Sequence, residues 1–195
     1  MRVGIAHHLG WAIAVTASAD HEVVDRRRIE LVDGGLPSAP IHHHGGTWAE
    51  HTGPGGVPSD GALAALVAEV RASAVRCATE ALAALAADVG SPIVSLAVAD
   101  WAPLPDDIAT LRRPPHEAKA DSVMYRVVLA EVAAARGWLV DGYDPKTVEA
   151  EAVALLGERA HDVLHGPRTR LGAPWAKDHR TALAATVVVA SRRPS

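Results

Sequence analysis

Between Val3 and Ala17 the chain alternates, with Trp11, Ile13 and Val15 set against Ala12, Ala14 and Thr16, the two-residue period of a strand. Gly10 breaks this run or marks a bulge in it. Ser18-Ala19-Asp20 supplies turn chemistry, and His21 to Val32 follows as a second strand with Val23, Ile29 and Leu31 apolar. Two strands joined by a few turn residues predict an antiparallel hairpin. The period then changes. Leu63, Leu66, Val67, Val70, Ala74, Ala78, Leu82 and Leu85 keep helical spacing, with Ser59 or Asp60 to cap the start and Gly90 and Pro92 to end it. Pro92 to Ala99 reads as a buried strand. Helical spacing returns from Ala118 to Arg136 through Val123, Met124, Val127, Val128, Glu131 and Ala135, and Gly137 closes it. Trp138 to Tyr143 is a short strand. Asp144-Pro145 starts a helix that stops at Gly157. A short helix over Glu158–His165, a loop over Arg168–Ala173 and a last helix from Pro174 to about Ala190 complete the pattern.

Strands alternating with helices in the second half predict parallel pairing there, joined to antiparallel strands in the first half. The expected fold class is α/β, a mixed sheet flanked by helices, in a single domain over residues 1–195. Two stretches resist the pattern. Trp101 to Pro115 carries Pro103, Pro105, Pro114 and Pro115 and reads as a connector with at most one short helix. Residues 33–59 form a Gly/Pro/His-rich loop, holding Gly34, Gly35, Gly45, Gly46, Gly53, Gly55 and Gly56 together with His42, His43, His44 and His51. Structureless segments of this length in compact domains are usually functional or mobile. A short third strand around Ile41–Trp48 would shorten it, and would put His42 and His44 on one side.

Charge narrows the partners. The net charge is -4, so the chain is not a globally basic nucleic-acid binder. Local basic patches remain at Arg26–Arg28 and at Arg168, Arg170, Arg192 and Arg193. The one cysteine, Cys77, falls on the apolar face of the long helix and reads as a buried thiol; no internal disulfide can form. The start, Met-Arg-Val-Gly-Ile-Ala-His-His, has no sustained apolar run and no cleavage site, and no stretch approaches the ~20 apolar residues of a membrane span. A cytoplasmic protein with no membrane partner is expected.

Three segments carry a resemblance. Trp138-Leu-Val-Asp-Gly-Tyr-Asp-Pro-Lys-Thr-Val-Glu-Ala is a strand followed by a Tyr-x-Pro-x-x-Val helix start. Asp178-His-Arg-Thr-Ala-Leu-Ala-Ala lies in the last helix, and Val3-Gly-Ile-Ala-His-His with Trp11-Ala12 opens the chain. Together these resemble the ribonuclease H-like superfamily, and within it the Holliday-junction resolvases. The resemblance implies a ribonuclease H-like mixed sheet and a nuclease or phosphodiesterase acting on nucleic acid. It also implies two divalent metal ions held by carboxylates, which activate water and stabilise the leaving oxygen.

The chain departs from that pattern where the chemistry would sit. The first carboxylate is expected on the first strand, where His7 and His8 stand. Asp100 lies one or two residues from the second expected position. Asp178 matches the third, and Thr181 occupies the fourth. Imidazole suits transition metals rather than Mg²⁺, so His7, His8, His42 and His44 are candidate metal ligands, with phosphate contact or an exposed loop without a role as the alternatives, and Asp100, Asp178 and His179 are candidate catalytic residues. Two readings stay open. One is a remodelled metal-dependent nuclease or phosphodiesterase, with His179 as acid or base. The other is a non-catalytic domain that binds a nucleic acid, a nucleotide or a protein partner, through the Arg-bearing hairpin or the glycine-rich loop. An exposed hairpin edge would also permit a homodimer.

Overall fold

A computed structural model describes residues 1–47 and 57–192. Trp48, His51 and Arg193 lie outside the described residues. The architecture is α/β, with a five-stranded sheet in the order β3-β2-β1-β4-β5. The strands are β1 (Arg2–His8), β2 (Trp11–Ala17), β3 (Val23–Glu30), β4 (Ser95–Ala99) and β5 (Leu139–Tyr143). β1, β2 and β3 pair antiparallel, while β4 runs parallel to both β1 and β5.

The alternating run Val3–Ala17 is therefore two strands rather than one. The chain reverses at Leu9-Gly10, where Gly10 takes a positive φ of 80°, and His8 pairs with Trp11. The third antiparallel strand comes from this split and not from Ile41–Trp48. Pro40–Gly45 is instead a π-helical turn, which removes the extended geometry that would have aligned His42 with His44. Two buried carboxylates set that turn. Asp121 accepts the Ile41 and His42 N–H groups at 3.1 and 2.9 Å. Glu117, one helical turn earlier, accepts the Thr47 N–H and hydroxyl.

Helices cover both faces of the sheet. On one lie α1 (Asp60–Val89) and, beyond the short α2 (Ile108–Leu111), α3 (Glu117–Ala135). Ser59 caps α1 by accepting the Ala62 N–H, and Gly90 ends it in the left-handed region. Val3 and Ile5 of β1 and Ala12 and Ala14 of β2 meet Ala78, Leu82, Tyr125 and Leu129 on this side. Glu131 does not join that core: it is exposed and pairs with Arg71 at 2.6 Å. Past β5 come α4 (Val148–Leu156), a 3₁₀ turn (Gly157–Arg159), α5 (Ala160–Leu164), α6 (Gly166–Leu171) and α7 (Lys177–Ser191). Gly166–Leu171 falls largely where a loop was expected, with Pro167 in its first turn, where the missing N–H costs nothing. α7 lies on the second face. A Cβ on Gly4 would overlap the Ala182 carbonyl, so a bare strand position lets this helix approach β1 closely. No helix among the described residues is long and apolar enough to cross a membrane.

Candidate functional site at the strand ends

The parallel strands β1, β4 and β5 end together, beside the N-terminus of α7. In open α/β sheets this carboxyl edge is where ligand crevices form. A cavity of about 230 Å³ lies there, lined by Ala6, His7, His8, Ala99, Arg126, Tyr143, Pro145, Lys177, Asp178 and Thr181.

Strand alternation sends the two histidines to opposite faces. His7 turns toward α3, where its Nε2 lies 2.9 Å from Ser122 Oγ. Arg126 donates its Nε–H to the same Nε2 at 3.0 Å. An arginine can only donate, so this contact places the His7 proton on Nδ1 and uses the Nε2 lone pair. Burial, with Arg126 and His8 nearby, pushes the His7 pKa down to about 3. His7 is thus a neutral acceptor at ordinary pH. Arg126 also donates Nη1 to the Asp100 carbonyl at 2.6 Å and Nη2 to Ser122 Oγ at 3.2 Å. One guanidinium therefore ties the end of β1 to the end of β4, and one N–H on each Nη remains for a ligand.

His8 turns toward α7. Its Nε2 meets Asp178 Oδ2 at 3.0 Å, and its ring stacks on Trp11 at 4.1 Å and 11°. Arg28 also lies over the Trp11 ring, 4.1 Å from its centroid. Lys177 precedes Asp178 on the cavity wall. Thr181, one turn on, donates its hydroxyl to Glu149 Oε1 at 2.8 Å, and Arg180 pairs with Glu149. The buried Tyr143 phenol donates to the Ile5 carbonyl at 2.7 Å, stitching β5 to β1 beneath the site.

The sequence candidates separate into three groups. His7, His8 and Asp178 line the cavity. Asp100 stands at its border: its carboxylate lies against Gly142, where a Cβ would overlap it, and its side chain lines a neighbouring cavity. His179, His42 and His44 do not line it. His179 is buried and its Nδ1 accepts the Ala176 N–H, so the ring caps α7; burial, then Arg26, lowers its pKa. His42 and His44 sit on the π-helical turn that Asp121 holds.

The residues present do not fit a two-metal carboxylate centre. Asp178 is the one carboxylate on the cavity wall, and Arg126 brings a fixed positive charge between β1 and β4. Among the described residues, no group of three or more His, Cys, Asp or Glu side chains is placed to hold a metal ion. The hairpin arginines are also committed. Arg26 donates to the carbonyls of Leu171, Gly172, Ala173 and Pro174. Arg27 pairs with Asp25 and Asp88, and Arg28 with Glu30. The decisive residue, Arg126, was passed over in the sequence. Its signal was the Ser122/Arg126 spacing of four, which puts both on one helix face.

No known protein-family model matches the chain, and no curated protein matches it.

Proposed function

We propose that the chain is a ribonuclease H-like domain that binds the phosphate of a nucleotide or nucleic acid at its strand ends, without metal-dependent hydrolysis. The strand order β3-β2-β1-β4-β5, with three antiparallel strands and two parallel ones, supports the scaffold. One observation carries the function: the Arg126 guanidinium bridges the ends of β1 and β4, where the resemblance would put metal-binding carboxylates. The wall around it is rich in donors. Lys177, Arg126 and His8 face one carboxylate, Asp178, which His8 already engages. Two fixed cations, Lys177 and Arg126, beside further donors favour an anion, and a volume of about 230 Å³ suits a phosphate group with its water rather than a whole nucleotide.

The His8–Asp178 contact favours a second reading, in which the pair acts as a metal-independent acid–base dyad on a phosphodiester. Asp178 would orient the imidazole from Nε2, leaving Nδ1 to exchange a proton.

Incubation with labelled single-stranded, duplex and branched DNA separates these. Binding with no cleavage in Mg²⁺, Mn²⁺, Zn²⁺ or EDTA is expected. Cleavage in EDTA that Asp178→Ala abolishes would establish the dyad. Cleavage that requires a divalent ion would overturn both.

A further inference from the structure

We infer that the larger cavity beside the site takes the base of the same ligand, so that the domain recognises a nucleoside phosphate rather than phosphate alone. This rests on the phosphate reading above. The cavity, of about 540 Å³, lies between the segment after β4 and the start of α3. That volume is within the range of small-molecule sites, roughly 300–1,000 Å³. Arg126 and Ala99-Asp100 form the partition between the two cavities: Arg126 lines both, Ala99 the smaller and Asp100 the larger.

The lining chemistry differs on the two sides of that partition. The smaller cavity presents Lys177 and His8. The larger one presents the apolar surfaces of Trp101, Pro103, Leu104 and Val123, with Lys119 and His116 at intervals. Trp101 is 36% exposed, unusual for so large an apolar ring. Two prolines, Pro103 and Pro105, restrict the backbone that carries it. A second cavity, about 410 Å³, opens beneath this segment and shares Trp101, Pro103, Leu104 and Val123. The segment is thus lightly packed on both flanks. A planar ring inserted against Trp101 would gain contact area there without displacing a close-packed neighbour. Base–aromatic stacking is sequence-tolerant, because every base has a π-face.

Competition binding with four probes tests this: inorganic phosphate, a nucleoside, the corresponding nucleoside 5′-monophosphate and a short single-stranded oligonucleotide. Wild type is expected to bind the monophosphate about tenfold or more tighter than inorganic phosphate, as one stacked base provides. Trp101→Ala is expected to erase most of that advantage while leaving inorganic phosphate binding unchanged. Lys177→Ala is expected to weaken both phosphate probes together. An oligonucleotide that outcompetes the monophosphate identifies a strand as the source of the nucleotide unit; the reverse identifies a free nucleotide. Equal binding of phosphate and monophosphate would overturn the base pocket and leave the phosphate site standing. No binding of any phosphate probe would overturn the underlying reading as well.

Discussion

His7 shows how a single side chain reports on the site. Its imidazole is held neutral because burial and the facing Arg126 oppose a second positive charge. Below pH ~6.5 the unfolded chain binds a proton there that the folded chain does not. Stability from this group is therefore fully present above pH ~6.5 and falls as the pH drops toward the folded value of about 3. The slope approaches about 1.4 kcal/mol per pH unit at most. His7→Gln removes this component. Urea unfolding at pH 7 and pH 5 should show the stability gap between wild type and variant narrowing at the lower pH. A gap that does not change with pH would show that His7 is not held neutral by the fold.

At the scale of elements, the π-helical turn Pro40–Gly45 depends on α3 more than on its own sequence. Asp121 is 2% exposed and receives two backbone N–H groups, and burial raises its pKa. Asp121→Ala leaves both donors without their acceptor. A loss of about 1–3 kcal/mol is expected, with faster amide exchange at Ile41 and His42. Unchanged exchange there would remove Asp121 as the anchor. These long-range contacts explain what the sequence could and could not reveal. The long helix α1 was legible from Ser59 to Gly90, because its period and both caps are local. The β1–β2 reversal was not, because residues 3–17 keep their alternation through a turn of two residues. His7, His8 and Asp178 were singled out by the resemblance rather than by local pattern, and the structure brings them to one cavity wall without testing the ligand and catalytic roles expected of them. Arg126 was not legible, because its role is fixed by His7, 119 positions away. The histidine turn misled for the same reason: its shape is dictated by Glu117 and Asp121 on a helix 70 or more positions downstream.

At the scale of the whole molecule, charge gives little to match a duplex. Its net charge is -4, and the hairpin arginines are spent on Asp25, Asp88, Glu30 and the carbonyls of residues 171–174. Binding should therefore use very few phosphate contacts. The slope of log K against log salt should have a magnitude of about 1–2, rather than the 6–10 of extended duplex binders. A steep slope would place the contact surface elsewhere. The central claim is that Arg126 and its neighbours hold phosphate where a metal centre would otherwise stand. The ³¹P NMR signal of a nucleoside monophosphate, titrated with protein in EDTA, tests this most directly. The account predicts broadening and a shift that Lys177→Ala weakens and added Mg²⁺ does not strengthen. No change in EDTA, followed by binding once Mg²⁺ is added, would contradict it.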